Sequence, residues 1–253
     1  MRIWMLGVIV CCIIIVGIIC VLVWYYPSVF LYPINRMFLT DMSYRTNIYT
    51  EDERDRIFPI GKELENIWKT IRDEGYELYN LLPNKDINYL ENYHIDLGKE
   101  DKKHWTTIPL RLFGRNTTYI DKCKNLKKIL EEHTEIKSCL FSIMEPGKII
   151  LPHYGPYDGL IRYQLALDIP KITNEEEECY LHVDNIKYQW IEGTGVLFDE
   201  NRIHGAVNTT SKKRMVLLID IERPYSLTVF QKLNKIIIYT IGQISQSKQY
   251  ELI

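Results

Sequence analysis

The first hydrophobic block runs from Ile3 to Trp24 without a charge, and about 20 consecutive apolar residues suffice to cross a bilayer. It predicts a transmembrane helix over 1–26. A cleaved signal peptide is the alternative, but its apolar region is usually about 7–15 residues and ends at small residues. Here the run passes into Trp24, Tyr25, Tyr26 and Pro27, and aromatics at that place suit an interfacial belt. From 27 to 59 the pattern becomes irregular, with Pro27, Pro33 and "TEDERDR", which reads as a membrane-proximal linker. Next, "GKELENIWKTIRDEGYELYNLL" places Leu64, Ile67, Trp68, Ile71, Leu78, Leu81 and Leu82 near i, i+3, i+4, i+7 spacing and predicts an amphipathic helix. A second helix is expected over Asp121 to Glu132, where Leu126, Ile129 and Leu130 share one side.

After Lys137 the period changes. Short β-branched and aromatic runs, "SCLFSIM", "KIILP", "IRYQLALDI", "CYLHVD", "YQWI", "GVLFD" and "RMVLLIDI", follow one another between Gly, Pro, Asp and Asn. They predict closely spaced strands of a sandwich or a cupin-like double-sheet jelly roll. The acidic "NEEEE" from Asn174 to Glu178 is expected to be a solvated loop. The fold class is therefore mainly β with flanking helices (α+β), a double-stranded β-helix core behind one N-terminal transmembrane helix. The catalytic-sized domain is placed at 60–225 and an amphipathic tail at 226–253, where Leu227, Phe230, Leu233, Ile237 and Ile241 recur at helical spacing. That tail is too short in its apolar part to span a membrane; it lies at the bilayer surface or packs on the domain.

Composition adds exclusions more than assignments. With 31 basic and 33 acidic residues mixed along the chain, no basic block favours nucleic acid. Cys11, Cys12 and Cys20 lie in the first apolar run, leaving Cys123, Cys139 and Cys179. That is neither a disulfide framework nor a CxxC zinc pattern, although a Cys123–Cys139 bridge is conceivable in a lumen. The sequons at Asn116 and Asn208 would be glycosylation acceptors if the domain were lumenal, as in a type II protein of an ER- or Golgi-like compartment. Orientation itself is undecided, because Arg2 on one side balances Arg36 and Arg45 on the other.

Candidate chemistry collects in the β region. His153 follows "KIILP" and precedes Gly155-Pro156; His204 follows "GVLFD" and precedes "GAVN". Taken singly each is more often a structural histidine, but two imidazoles on separate strands of a jelly roll suit an oxygen-activating iron site. Arg214 opens the strand "RMVLLIDI". Inside a mostly apolar barrel it would need an anionic partner, which a dicarboxylate would supply by bidentate pairing; at an exposed strand edge beside Lys212 and Lys213 it would need nothing. Ser142, on the strand before His153, could add a hydroxyl donor.

The segments "FSIMEPGKIILPHYGP", "LIRYQLALDIP", "LFDENRIHGAVN" and "RMVLLIDIERP", with Trp190 and Glu192-Gly193 between them, resemble the aspartyl/asparaginyl β-hydroxylase family of Fe(II)- and 2-oxoglutarate-dependent dioxygenases over about Trp105 to Pro224. The resemblance implies that His153 and His204 hold the iron with no protein carboxylate, Gly155 standing at the triad position. It implies that Ser142 and Arg214 hold the distal carboxylate of 2-oxoglutarate and that Arg162 lies near its other carboxylate or the substrate. O2 is the third reactant. Asp158 and Asp199 would serve a turn or support the site from behind.

The chain departs from the animal hydroxylases at two positions. Gln164 stands where they carry His, so a neutral amide replaces a chargeable ring among the co-substrate contacts, and Leu160 stands where they carry Arg. Trp105, Arg111 and Arg115 are further candidates for substrate contact. The expected reaction is hydroxylation of an unactivated C–H, first on Asp/Asn side chains of a protein. A lipid acyl chain and a non-catalytic anchored jelly-roll binding protein are the alternatives.

Overall fold

The computed structural model describes residues 27–42, 44–82 and 105–245. The predicted transmembrane helix lies outside the described residues; among the described residues no helix is long and apolar enough to cross a membrane. The chain divides into a unit ending at Met42 and one from Ser43 to Ile253. In the first, Pro27–Phe38 is helix α1.

The second unit opens before the predicted domain boundary. Residues 44–59, read from sequence as linker, belong to the fold: Ile48 bridges Phe198, Tyr49 N donates to the Leu197 carbonyl, and helix α2 (Glu51–Ile57) starts in a Thr50/Glu53 capping box. The charges of "TEDERDR" hid it, although a Thr followed three residues later by Glu is a helix-start signature. The predicted amphipathic helix is two, α3 (Ile60–Asn66) and α4 (Trp68–Leu81), broken at Ile67. Helix α5 covers Lys124–Glu132. Its first turn is capped from α4 by the buried Glu74 carboxylate, which accepts from Asn125 N at 2.7 Å and Leu126 N at 3.4 Å and opposes the helix dipole.

Ten antiparallel strands form two sheets: β1 (Trp105–Leu112), β2 (Arg115–Asn116), β3 (Ile136–Met144), β4 (Lys148–His153), β5 (Leu160–Asp168), β6 (Cys179–Val183), β7 (Ile186–Tyr188), β8 (Gly195–Phe198), β9 (His204–Asn208) and β10 (Arg214–Glu222). The order is β2-β1-β3-β10-β5-β8 in the large sheet and β4-β9-β6-β7 in the small one. This is the double-sheet β architecture that the strand spacing predicted. Strand β1 went unpredicted because Pro109 interrupts it; the ladder absorbs the proline at a register shift between Pro109 and Arg111, where a missing N–H is tolerated.

Side-chain alternation assigns the two cores. Phe141, Ile143, Tyr163, Leu165, Leu217 and Ile219 turn towards Leu64, Ile71 and Leu78 of the helices, whereas Leu140, Met144, Ala166, Val216 and Leu218 join Ile150, Leu181 and Ala206 of the small sheet. The central strands are therefore buried on both faces, so their inward polar residues lie in an otherwise apolar layer. Helix α6 (Thr228–Ser245) closes the described chain.

Candidate active site

The two histidines face one another across the small sheet. His153 ends β4 and His204 begins β9, and they are cross-strand partners. Their ring centroids lie 4.3 Å apart at 52°. A register shift between Ile150 and His153 kinks β4 before the ring and re-aims it, as bulges do. Each ring is held in the same way: His153 Nδ1 lies 2.8 Å from the Leu151 carbonyl and His204 Nδ1 2.9 Å from the Arg202 carbonyl. A carbonyl only accepts, so each Nδ1 carries the proton and each lone pair sits on Nε2, the tautomer a metal requires. Burial also pushes the His153 pKa down to about 4, which keeps that ring neutral.

The large sheet supplies a cationic end to the same cavity. Trp105, Ser142, Arg162, Gln164 and Arg214 line it together with both histidines, Ile150, Leu181, Ala206 and Leu218. Arg214 is 2% exposed, which excludes the strand-edge alternative. Its Nη1 donates to the Ser142 carbonyl and hydroxyl oxygens, both at 3.3 Å, and its Nη2 meets the Met144 sulfur. The guanidinium stacks over Trp190 at 4.7 Å. Every one of these partners is neutral, and Nε is buried with no hydrogen-bond partner. Burial lowers the Arg214 pKa to about 10, so the group remains charged at neutral pH. Ser142 Oγ accepts from Trp105 Nε1 at 2.9 Å as well as from Arg214. With both lone pairs engaged, its own proton is left to donate.

Arg162 also lines the cavity, but its charge is opposed by protein groups. Nε and Nη2 donate to the two Asp220 oxygens at 2.7 and 3.1 Å, a pairing set by direct register of β5 and β10. Nη2 also lies 2.6 Å from Glu200 Oε2, although that oxygen makes no aligned hydrogen bond. Burial, with Asp220 and Asp199 nearby, raises the Glu200 pKa to about 8 against the pull of Arg162. Glu200 fills the space beside Gly155: a Cβ there would lie 2.7 Å from Glu200 Cγ and 2.9 Å from its carbonyl oxygen. Gly155 therefore cannot take a side chain without displacing Glu200. Gln164 Oε1 accepts from Trp190 Nε1 at 3.1 Å, which leaves the amide nitrogen as the side chain's donor.

Asp158 and Asp199 belong to a buried ion cluster. Arg45 reaches Asp158 through both guanidinium ends, and Arg223 Nη1 donates to Asp199 at 3.0 Å. Arg111 is elsewhere, held by Asn116 and the His133 and Ile136 carbonyls, and Arg115 lines a different cleft beside α6. Cys123 and Cys139 are buried free thiols. Asn208 is fully buried, donating to the carbonyls of Met144, Glu145 and Lys212, so the folded domain cannot present it for glycosylation. Sequence reasoning missed Glu200, Asp220 and the role of Trp190 under Arg214. The signal for Asp220 was its place on β10, facing Arg162 by alternation; Glu200 gave none, since only the turn brings it back to Gly155.

A family model described as aspartyl/asparaginyl beta-hydroxylase matches residues 65–224, more than half of the chain. The chain belongs to this family. It is 31% identical over 169 residues to the ornithine lipid ester-linked acyl 2-hydroxylase of Rhizobium tropici, covering 66% of this chain and 58% of that protein. It is 30% identical over 171 residues to the human aspartyl/asparaginyl beta-hydroxylase, covering 64% of this chain and 21% of that protein. The chain thus spans less than two thirds of the length of either relative. A prolyl-4-hydroxylase structure from Pseudomonas putida aligns with a TM-score of 0.40 at 12% identity, over 65% of this chain and 90% of that one. As a hydroxylase family member, this chain holds a paired-imidazole end and a guanidinium–hydroxyl end within one cavity.

Proposed function

We propose that the protein is an Fe(II)- and 2-oxoglutarate-dependent dioxygenase that hydroxylates an unactivated C–H. The observation that carries this is Arg214, a buried cation whose protein partners are all neutral, in the same cavity as two histidines fixed with Nε2 as the donor atom. An unopposed buried charge is costly, and a carboxylate from a bound 2-oxoacid would oppose it by bidentate pairing. The donor set is compatible with the metal: two imidazoles can ligate Fe(II) and leave positions open for a chelating co-substrate and O2. His153 and His204 would hold it. When bound, the iron would supply the redox chemistry by which 2-oxoglutarate and O2 become succinate and CO2 while one oxygen atom enters the substrate C–H.

The chain's own residues bind, orient and exclude water. The backbone carbonyls of Leu151 and Arg202 keep each Nδ1 protonated. Arg214 and the Ser142 proton seat the distal carboxylate, with Trp105 and Trp190 holding those two groups in place. The Gln164 amide nitrogen can donate to the proximal end. Ile150, Leu181, Ala206 and Leu218 keep the cavity apolar. The space at its centre is about 30 Å3.

Of the expected substrates, a neutral aliphatic chain is the better supported. Arg162 is already opposed by Asp220, Arg214 is reserved for the co-substrate, and position 160 is a buried Leu, so a substrate carboxylate finds no spare cation among the described residues that line the cavity. The acyl 2-hydroxylase relative agrees with this reading; Asp/Asn side chains remain the second, supported by the human relative's name.

The full chain loaded anaerobically with Fe(II) should convert 2-oxoglutarate to succinate under O2, and His204→Ala should lose iron and turnover together. A folded, iron-loaded sample with no turnover would overturn the proposal. Mass spectrometry of membrane lipids and proteins from cells with and without the gene decides between substrates: one added oxygen on an acyl chain supports the first reading, and on an Asp or Asn residue the second.

A further inference from the structure

Helix α6 has two apolar faces, and the domain uses only one. Asn234, Ile237 and Ile238 are buried. Asn234 is a clamp, accepting from Tyr157 Oη at 2.6 Å and donating to the Gly159 carbonyl at 2.8 Å; those residues belong to the loop that leaves His153. The helix is thereby fixed to the segment that follows one candidate iron ligand. A Cβ at Gly242 would lie 2.6 Å from the Phe113 carbonyl, so the far end of the helix sits close on the β1–β2 turn.

The opposite arc holds Val229, Lys232, Lys235, Ile236 and Tyr239. Val229, Ile236 and Tyr239 are 64%, 62% and 66% exposed, spaced at i, i+7 and i+10 along one stripe. The helix contains no Asp or Glu. Beside it opens a cleft of about 790 Å3 whose charged lining is Arg115, Glu135, Lys137, Glu222 and Lys235. Lys137 is paired with Glu222 at 2.8 Å, whereas Arg115, Lys232 and Lys235 have no ion-pair partner among the described residues. Apolar side chains interleaved with unopposed cations are the pattern of a helix lying in a headgroup layer. The same chain carries the uncharged run from Ile3 to Trp24, long enough to hold it at a bilayer.

We infer that the outer face of α6 is a membrane-contact surface: Val229, Ile236 and Tyr239 enter the headgroup–acyl boundary of an anionic bilayer while Arg115, Lys232 and Lys235 face its phosphates. Through the Asn234 clamp, this contact sets the loop after His153 at a fixed height above the lipid. The surface goes beyond the dioxygenase reading and does not depend on it.

The test uses the full chain in lipid nanodiscs with a photoreactive benzoylphenylalanine in place of Ile236, and in place of Ile172 as a control that is 47% exposed in a loop. We expect lipid adducts at 236 several-fold above those at 172. Phosphatidylglycerol added to phosphatidylcholine should raise them, and Lys232→Glu with Lys235→Glu should lower them several-fold. Equal adducts at the two positions, no response to anionic lipid, or crosslinking from 236 to a second copy of the chain instead of lipid would each overturn the inference.

Discussion

Buried arginines of this domain are treated in opposite ways. Around the loop at 158–159, Arg45 and Arg223 each meet carboxylates of Asp158 and Asp199, and Arg162 is gripped by Asp220 with Glu200 beside it. Arg214, 2% exposed on the neighbouring strand from Arg162, has a hydroxyl, a carbonyl, a sulfur and an indole face. The first group is complete without a ligand. The second has no carboxylate partner among the described residues, which is what the proposed co-substrate would supply. Burial therefore does not set Arg214 apart, and neutral partners alone do not either, since Arg111 is held by Asn116 and two carbonyls; what sets it apart is having neutral partners in a cavity shared with both histidines.

The comparison breaks most sharply at the closed cluster. Asp199→Ala strips Arg223 of its nearest carboxylate in a buried site, and loss of one partner of a buried pair costs about 3–5 kcal/mol. Urea unfolding should show a loss of that size; a change below about 1 kcal/mol would mean that the cluster is not closed. Arg214→Met should do the reverse to the apo protein, leaving its stability unchanged or slightly higher because an unopposed cation is replaced by apolar volume. The variant should also lose stabilisation by 2-oxoglutarate in the iron-loaded protein, which for the unaltered chain reaches about 2.7 kcal/mol at a hundred-fold excess over Kd. An unchanged thermal shift with co-substrate in the variant would refute the role of Arg214.

Glu200 lies between the two regions and sharpens the contrast through pH. Its pKa is raised to about 8, so the folded state binds the proton more tightly than the unfolded chain does. That contribution is fully present below the ordinary carboxyl value near 4.5 and is lost as pH rises towards 8. The stability advantage of the unaltered protein over Glu200→Gln should therefore shrink between those values; a difference that grows with pH would show Glu200 to be ionised against Arg162. The smallest change is Ser142→Ala. It removes one hydroxyl donor worth about 1 kcal/mol and should raise the 2-oxoglutarate requirement roughly five-fold, with iron retention unchanged, as read by titration of succinate formation.

Much of the site was legible in the linear chain because its chemistry is local to strand ends. His153 and His204 sit beside turn residues, and Ser142 and Arg214 lie on strands whose apolar runs are unmistakable. The family resemblance named these residues, and the fold places them around one cavity. Less was legible where polarity and helix-breaking residues conflicted with element type. The segment at 44–59 reads as linker by its charge yet is pinned by Arg45, Ile48 and Tyr49, and β1 is masked by Pro109. Asn208 carries a formal sequon, but its amide is committed to three carbonyls inside the fold.

By itself the sequence determined the alternation that makes two sheets, the helical periods, and the residue types able to hold iron and an anion, since these follow from side-chain chemistry and spacing along the backbone. It could not determine which charges oppose one another, because ion pairing depends on distances between strands far apart in the chain. Tertiary structure alone gave Arg162 its carboxylates, left Arg214 without one, and brought Glu200 against Gly155.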